Sequence, residues 1–409
     1  MANIIFIDQN NNTQTQEIYL DMQNTNNKNS AFTVPDNSHK VTQLYEITKS
    51  ITDGNIPILF DDAMSSSRQK GLELSKKTVF EYKDELKDAI AILFTSGTSG
   101  NPIGTVKTKD NIIAETQVHL DWLKNYKFEQ CLVTVPFFHI YGFLFGVSIP
   151  LAMNLDIVTK EHFLPHEIID ICTKKPTLCI TSPVFIRSML RTNNNVSLEQ
   201  TIFICSSGAL ESFEAEEFEK LHKTTLVQLY GSTETGGIAI RRHNDIHWHP
   251  LKNISLHKHN EGLLQVSSPF ISPHIYNNGL FTKNSLPFTL SDIIELEKDK
   301  FSILGRSGEI AKLGGKRLSL IEIEKTLESI NGIDEALVQI EYSPKKLRGE
   351  TLTLFLVGDE TKAEKSTIKK LLHEYFGGIH IENKITFIDS IPKTAIGKKV
   401  RVPFGIKKV

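Results

Sequence analysis

Short apolar runs alternate with segments of helical periodicity along the middle of the chain. Six runs of five or six residues are almost wholly apolar, which is typical of buried strands in a parallel sheet. Segments 111–126 and 211–223 repeat apolar side chains three and four positions apart, the spacing of one helix face. This alternation predicts an α/β body with a largely parallel sheet. The runs are IPILF (56–60), AIAILF (89–94), CLVTV (131–135), LCITS (178–182), IFICS (202–206) and LVQLY (226–230).

The pattern changes after residue 240, where strands and turns replace the alternation. From about residue 307 a smaller α+β unit follows, with two amphipathic segments and three apolar strands. We place the boundary in segment 304–317, which contains four glycines, and predict domains 1–304 and 305–409. Residues 10–30 are rich in Asn, Gln and Thr, so we expect a loop there.

Composition narrows the class of protein. The chain has 409 residues, of which 40% are hydrophobic and 23% charged, as in ordinary soluble globular proteins. The net charge of −2 gives no reason to expect a nucleic-acid or membrane partner. Its four cysteines form no C-x-x-C pair, and the N-terminus lacks the basic region of a signal peptide. The apolar stretch 140–158 contains Pro150, Asn154 and Asp156, which argue against a membrane span. We therefore expect a cytoplasmic protein.

A loop rich in hydroxyls and glycines directly follows the apolar run 89–94. Such a loop can turn backbone N–H groups and hydroxyls toward phosphate, and it lies at a strand end, where α/β proteins bind ligands. The P-loop pattern does not fit, because Gly104 is followed by Thr105 and Val106. Taken alone, the loop fits a Ser/Gly-rich surface turn equally well. It consists of Thr95, Ser96, Gly97, Thr98, Ser99 and Gly100.

The loop resembles the phosphate-binding signature of the acyl-adenylate-forming, or AMP-binding, enzyme superfamily. Six further segments resemble motifs of that family, occur in the family's order and extend over nearly the whole chain. They are PFFHIYG (136–142), SSGAL (206–210), YGSTETGG (230–237), FTLSD (288–292), GRSGEIAKLGGKRLSLIEIE (305–324) and IPKTAIGKKVR (391–401). Within the family, the chain resembles acyl- or aryl-CoA synthetases and acyl-carrier-protein ligases of a short bacterial type, as in aryl-polyene and resorcinol-lipid pathways.

The resemblance implies a fold and a reaction. It implies a large N-terminal domain with mostly parallel sheets and a β-rich subdomain, followed by a small mobile α+β domain. The reaction joins a small aryl or fatty carboxylic acid to ATP, giving acyl-AMP and pyrophosphate. The acyl group then passes to the phosphopantetheine thiol of CoA or of an acyl carrier protein. Two anions meet in the first step, so catalysis demands positioning and positive charge more than a base.

The resemblance also assigns catalytic roles. Lys398 bridges the carboxylate and the α-phosphate, and Glu234 holds Mg²⁺, a cation that prefers carboxylate and phosphate oxygens. Thr233 donates its hydroxyl to the α-phosphate. His139 lines the passage between the acid and ATP; we do not expect it to act as a general base, because a carboxylate is already ionised at neutral pH.

The remaining assignments concern ATP and the moving domain. Tyr230 packs on adenine, Asp292 accepts the ribose hydroxyls, and Arg306 assists from the domain boundary. Gly308 lies at the hinge, and Gly315 lies where the pantetheine arm passes. The ATP-binding residues are Thr95, Ser96, Gly97, Thr98, Ser99, Gly100, Gly208, Ala209, Tyr230, Gly231, Ser232, Asp292 and Arg306.

Three departures from the family pattern stand out. Ile103 replaces the usual loop lysine, so we expect Lys107 or Lys109 to supply the missing charge. Gly308 replaces an aspartate or lysine at the hinge. Only about 94 residues precede the loop, which implies a reduced first subdomain.

Two alternatives stay open at this stage. An adenylation-only enzyme would pass acyl-AMP to another acceptor, and a degenerate paralogue would bind nucleotide or acyl ligand without efficient turnover. Five histidines between residues 243 and 259 include two H-x-H pairs, which suit a metal on a strand face. No carboxylate or cysteine completes that ligand set convincingly, so we interpret this stretch as a solvated strand face.

Overall fold

The computed structural model divides the chain into two compact units, each described here by itself. The first comprises Met1–His257, Gln265–Phe288 and Glu297–Phe301, and the second Lys258–Leu264, Thr289–Leu296 and Ser302–Val409. The structure describes residues 2–8, 12–18, 20, 31–37, 39–62, 65–95, 102–192, 195–306, 310–313, 316–342, 350–375, 383–393 and 399.

The strands are numbered in chain order. Those of the first half are β1 (Ala2–Ile7), β2 (Thr13–Ile18), β3 (Phe32–Thr33), β4 (Ile56–Leu59), β5 (Ala89–Thr95), β6 (Ile103–Thr108), β7 (Gln130–Val133), β8 (Asp156–Thr159), β9 (Thr177–Thr181) and β10 (Thr201–Cys205). The later strands are β11 (Thr225–Ser232), β12 (Gly236–Arg241), β13 (His249–Pro250), β14 (Ser255–Lys258), β15 (Leu263–Ser267), β16 (His274–Asn277), β17 (Leu280–Lys283), β18 (Phe288–Glu297), β19 (Lys300–Arg306), β20 (Ile310–Leu313), β21 (Lys316–Ser319), β22 (Ile333–Tyr342), β23 (Glu350–Gly358) and β24 (Asn383–Phe387).

The helices are numbered in the same way, and a wider turn connects two of them. A π-helical turn, Leu144–Ser148, joins α4 to α5. The α-helices are α1 (Lys40–Thr52), α2 (Ser65–Ser75), α3 (Lys109–Leu123), α4 (Ile140–Phe143), α5 (Ile149–Ala152), α6 (Pro165–Lys174), α7 (Pro183–Leu190), α8 (Ser212–His222), α9 (Leu320–Glu328) and α10 (Lys365–Tyr375).

The largest sheet forms the centre of the first unit. Its nine strands have the order β13-β12-β11-β10-β9-β7-β8-β1-β2. The six strands from β11 to β1 run parallel, while β12, β13 and β2 pair antiparallel at the edges. Every residue of β7, β9 and β10 is buried, because helices cover both faces of such a sheet.

A second sheet of the first unit contains the strands on either side of the predicted phosphate loop. Its order is β17-β16-β6-β5-β4-β3, and β5 pairs antiparallel with β6, with Thr95 opposite Ile103. Strand β6 leads into helix α3, whose first turn is capped by Thr108: its hydroxyl accepts a hydrogen bond from the Asn111 amide at 3.3 Å. The positions of α3 and of the 269–276 segment are therefore tied to this sheet.

The sheet that follows the central body has the order β14-β15-β18-β19. The second unit continues with the β20-β21 hairpin and a three-stranded sheet, β22-β23-β24, in which β22 and β23 are antiparallel and β23 and β24 are parallel. Helices α9 and α10 bury Leu320, Ile323, Leu327, Ile368 and Leu372 in the core of this sheet.

The six apolar runs are confirmed as strands, and so is the α/β architecture with a smaller α+β portion. The central sheet is mostly parallel as predicted, whereas the second sheet is mixed. The expectation of a loop over residues 10–30 is wrong for Thr13–Ile18, which forms edge strand β2 against β1. Most of its side chains are exposed, so an edge strand of polar residues gave no apolar signal. Among the described residues, no helix has the length and apolarity needed to span a membrane.

Candidate functional site

Four neighbouring parallel strands end at the same edge of the central sheet. Registers Val133↔Ile180 and Thr181↔Cys205 align the carboxyl ends of β7, β9 and β10, and Cys205↔Gln228 places β11 beside them, with its last four residues extending past that level. The chain segments that leave these strands are 134–139, 182–183, 206–211 and 233–235. Carboxyl ends of parallel strands are where open α/β sheets bind ligands. Three of these segments carry residues that the sequence predicts for the site.

The 232–237 turn, Ser232–Gly237, joins β11 to β12 and carries Thr233 and Glu234, both half-exposed. Its backbone is fixed by its own hydroxyls: the Ser232 and Thr235 side chains lie 3.0 Å apart, and each accepts a hydrogen bond from the other residue's amide at 3.2 Å. Gly231 lies so close to the turn that a Cβ there would be 2.2 Å from the Gly236 carbonyl oxygen. Only glycine fits this position.

The 206–211 segment leaves β10 next to β11. Ser206 Oγ donates to the Leu229 carbonyl at 2.9 Å, which ties the end of β10 to β11. Ser207 adopts a positive φ of 72°, and the following Gly208 and Ala209 are exposed at the edge of the sheet. The Ala209 carbonyl accepts a hydrogen bond from Arg187 at 2.9 Å. The predicted adenine-side residues thus form a solvent-facing loop whose backbone is fixed by hydrogen bonds at Ser206 and Ala209.

Tyr230 is a half-buried residue of β11 that follows the buried residues 226–229. The ring packs against Trp248 at a centroid distance of 5.5 Å and against Phe301 at 5.8 Å. The Arg241 guanidinium lies over the Trp248 ring, 4.5 Å from its centroid. These contacts fix the plane of the Tyr230 ring next to the exposed Gly231.

His139 lies immediately before helix α4, half-buried, with its ring 4.5 Å from that of Phe138. The helix is held against the sheet by Tyr141, whose hydroxyl lies 2.6 Å from the Ile204 carbonyl and 3.1 Å from that of Thr181. A Cβ on Gly142 would fall 1.9 Å from the Pro136 carbonyl oxygen. The PFFHIYG segment is therefore a tight turn that presents His139 at the sheet edge.

Lys107, at the inner end of β6, points into the core of the first unit. Its side chain is fully buried, and Nζ donates to the Phe270 carbonyl at 3.0 Å and to the Glu234 carbonyl at 3.5 Å. The expectation that Lys107 replaces the loop lysine is therefore wrong, because its ammonium faces the underside of the 232–237 turn. Lys109 begins α3 with a half-buried side chain, and Ile103 begins β6, also half-buried.

Glu115 is a second buried charged residue that the sequence motifs did not reveal. Its Oε1 accepts a hydrogen bond from the Gly237 amide at 2.5 Å. Burial raises the pKa of Glu115 to about 7, which the charge of Lys107 opposes, and burial lowers the pKa of Lys107 to about 8, which Glu115 and Glu234 oppose. Each of the two charges lies among buried residues of mixed polarity, one in β6 and one on the buried face of α3, so hydrophobic patterning gave no clear signal.

Several predicted residues lie in the second unit or outside the described residues. Asp292 is buried in β18, and Arg306 ends β19. Both belong to the second unit, whereas the sheet-edge residues belong to the first. The predicted residues that lie outside the described residues are Ser96, Gly97, Thr98, Ser99, Gly100, Gly308, Gly315 and Lys398.

Glu234 suits a magnesium ion that is shared with a nucleotide. Mg²⁺ is usually bound through one or two carboxylates together with substrate phosphates and water. Across the described ranges, no group of three or more His, Cys, Asp or Glu side chains forms a metal site by itself. In the histidine stretch, His247 and His249 each approach a different carboxylate, Glu297 at 3.4 Å and Asp245 at 3.3 Å. A single half-exposed carboxylate at the sheet edge fits the shared arrangement.

Comparisons with known proteins agree with this architecture. The profile of the family described as "AMP-binding enzyme" matches residues 10–258, more than half of the chain. A probable CoA ligase of Humulus lupulus is 25% identical over 91% of this chain and 73% of its own length. The long-chain-fatty-acid–CoA ligase of Bacillus subtilis is 26% identical over 78% of this chain and 61% of its own. The chain thus spans about three fifths to three quarters of these relatives.

A solved structure is similar over almost the whole chain. ATP-bound MatB from Rhodopseudomonas palustris superposes with a TM-score of 0.72 at 15% identity, covering 97% of this chain and 94% of that one. At this identity the likeness concerns the fold. It agrees with a large N-terminal and a small C-terminal portion built from mixed α/β layers.

Proposed function

Because the chain belongs to the AMP-binding enzyme family, we propose that it is an ATP-dependent acid–thiol ligase. The observation that supports this most is the 232–237 turn, which holds Thr233 and Glu234 at the carboxyl end of β11 in the central sheet. The names of the relatives support CoA as the acceptor, since two of them are CoA ligases.

The first step joins two anions, and its residues act by position and charge. A carboxylate oxygen attacks the α-phosphorus of ATP, the bond to the bridging oxygen of pyrophosphate breaks, and acyl-AMP forms. Lys398 would place its ammonium between the carboxylate and the α-phosphate, and the Thr233 hydroxyl would donate to a phosphate oxygen. Charge preorganised at the developing anion is the largest single contribution in many enzymes.

Glu234 would hold Mg²⁺ together with phosphate oxygens of the nucleotide. Bound Mg²⁺ supplies neutralisation of phosphate charge. The task of the protein is to keep the Glu234 backbone still, and the structure gives that backbone two donors: the Ser272 amide at 2.9 Å and Lys107 Nζ at 3.5 Å.

The second step transfers the acyl group. A thiol sulfur attacks the acyl carbon, the thiol proton is released to solvent, and AMP leaves with the oxygen that came from the carboxylate. We propose the phosphopantetheine of CoA as the thiol, with an acyl carrier protein as the second candidate. Gly315 would leave room for the pantetheine arm, since it lacks a side chain.

The acid is a small carboxylic acid, aryl or aliphatic, and His139 would line its approach to ATP. The test is acid-dependent ATP–pyrophosphate exchange with aryl, short-chain and long-chain acids, followed by thioester formation with CoA and with a loaded carrier protein. We expect exchange that requires both Mg²⁺ and one class of acid. Gly315→Leu should keep exchange and lose thioester formation, and equal loss of both would contradict the proposed role of Gly315.

Ile103 motivates one alternative, a paralogue that binds nucleotide or acyl ligand without efficient turnover. Nucleotide binding without exchange for any acid would favour it. Exchange without thioester formation on either acceptor would instead favour an enzyme that only adenylates.

A further inference from the structure

Two buried charged side chains lie beneath the turn that carries Thr233 and Glu234. Lys107 is 0% exposed and Glu115 is 1% exposed. They come from adjacent elements, strand β6 and helix α3. Charged groups are rarely buried this completely unless they are paired and hydrogen-bonded, because removing them from water is costly. The contacts of each residue show what this burial achieves.

Lys107 holds one side of the turn. Its Nζ donates to the Phe270 carbonyl at 3.0 Å and to the Glu234 carbonyl at 3.5 Å. The neighbouring Asn111 side chain donates to the Pro269 and Ile271 carbonyls at 2.8 and 3.1 Å. The same segment then reaches the turn through the Ser272 amide, which donates to the Glu234 carbonyl at 2.9 Å. The Glu234 backbone is thus fixed both directly and through segment 269–272.

Glu115 holds the other side of the turn. Its Oε1 accepts the Gly237 amide at 2.5 Å, and its Oε2 lies where a Cβ on Gly236 would be, 2.2 Å away. Gly236 has a positive φ of 70°, so the chain reverses directly over the carboxylate. Lys107 and Glu115 therefore hydrogen-bond to the backbone of the turn at two points three residues apart, Glu234 and Gly237.

We propose that Lys107 and Glu115 are positioning residues that hold the 232–237 turn in place for magnesium–nucleotide binding by Glu234. This rests on the proposed function. Mg²⁺ demands near-ideal octahedral geometry, so a small displacement of its carboxylate ligand weakens binding. Buried apolar side chains would fill the same volume, but they would offer no donor to the Glu234 carbonyl and no acceptor for the Gly237 amide.

The test uses variants that each remove the contact of one residue with the turn, together with matched controls. Lys107→Met and Glu115→Leu delete the hydrogen bonds to the turn. Glu115→Gln keeps an oxygen that can accept from Gly237 and serves as the conservative rescue. Thr116→Val removes a neighbouring buried hydrogen bond of α3, between the Thr116 and Ser148 hydroxyls at 2.8 Å, and Thr116 makes no hydrogen bond to the turn. It controls for general loss of stability.

Three readouts are measured on the full chain. Hydrogen exchange of peptides that cover residues 231–240 reports the order of the turn whether or not the protein turns over. The Mg²⁺ concentration for half-maximal ATP–pyrophosphate exchange reports how tightly the metal is bound. The affinity for ATP in EDTA reports nucleotide binding without the metal. In Lys107→Met and Glu115→Leu we expect hydrogen exchange in 231–240 to be at least about tenfold faster. We also expect the Mg²⁺ requirement to rise about tenfold while ATP affinity in EDTA stays within about twofold.

The controls define the contrary results. Glu115→Gln and Thr116→Val should keep hydrogen exchange in 231–240 and the Mg²⁺ requirement near wild type. Unchanged hydrogen exchange in both deletion variants, or equal acceleration in Thr116→Val, would overturn the proposal. A loosened turn with an unchanged Mg²⁺ requirement would reduce the pair to a structural brace. If Lys107→Met does not fold, the comparison of Glu115→Leu with Glu115→Gln still tests whether the contact between Glu115 and Gly237 holds the turn.

The proposed function fails separately from this inference. It fails if the wild-type protein shows no acid-dependent exchange with any acid. The hydrogen-exchange result then still shows whether the pair holds the turn, and its catalytic significance is overturned.

Discussion

Replacing Gly236 by alanine tests the contact between the 232–237 turn and Glu115. The added Cβ would lie 2.2 Å from Glu115 Oε2, more than 1 Å inside ordinary van der Waals contact, and 2.8 Å from its Cδ. The carboxylate cannot simply swing away, because its other oxygen accepts the Gly237 amide at 2.5 Å. Moving it would leave a buried donor and a buried acceptor unpaired.

The magnitude follows from two contributions. An alanine at positive φ costs about 1 kcal/mol of backbone strain. Overpacking a filled site adds about 1–3 kcal/mol. We therefore expect Gly236→Ala to lower the free energy of unfolding by about 2–4 kcal/mol. Gly279 is the matched control: its φ is 85°, and a Cβ there would meet nothing within 4 Å. Gly279→Ala should cost only the strain, about 1 kcal/mol.

Equilibrium urea unfolding of the two variants at one pH supplies the comparison, with m-values checked for constancy. Adding Glu115→Ala to Gly236→Ala gives the new Cβ room, so the double variant should be more stable than the sum of the single losses predicts. Equal losses for Gly236→Ala and Gly279→Ala, or strict additivity with Glu115→Ala, would refute the reasoning about this turn.

Three other predictions address acid stability, catalysis and the phosphate loop. Burial lowers the pKa of His119 to about 3 from its ordinary 6.5, so the unfolded chain binds more protons below pH 6.5 and stability is lost as pH falls toward 3. This linkage removes about 2 kcal/mol between pH 8 and pH 5, and His119→Leu should abolish that part of the slope in urea unfolding; an unchanged slope would contradict it. Lys398→Ala should slow ATP–pyrophosphate exchange by at least about a hundredfold while preformed acyl-AMP still yields thioester, and near wild-type exchange would disprove its role. Ile103→Lys should lower the KM for ATP about fivefold with kcat within a few-fold, whereas a large gain in kcat would mark the natural protein as impaired.

The fold was largely predictable because its central strands are buried on both faces. Runs such as 178–182 and 202–206 are mostly apolar, and every residue of β9 and β10 is indeed buried. Edge strand β2 gave no such signal, because its TQTQEI sequence is mostly exposed and pairs through its backbone with β1. Hydrophobic patterning reports burial, so it misses strands that are held by hydrogen bonds at an edge.

The candidate site was predictable where motif residues end parallel strands. The alignment of β7, β10 and β11 brings His139, Gly208 and Glu234 to one edge, as the order of elements implies. The support beneath them was not predictable, because it depends on contacts between residues 122 and 127 positions apart in the chain. Nearness in sequence suggests that Lys107 serves the phosphate loop, but strand β6 places its side chain in the core.

The central claim is that a carboxylate attacks the α-phosphate of ATP, and one isotope measurement tests it directly. The accepted acid, labelled with ¹⁸O in both carboxylate oxygens, is incubated with ATP, Mg²⁺ and CoA, and the phosphorus products are analysed by mass spectrometry. Adenylation predicts one ¹⁸O in AMP for each thioester formed, with unlabelled pyrophosphate. Label in inorganic phosphate with ADP as the nucleotide product, or thioester with unlabelled AMP, would contradict the account.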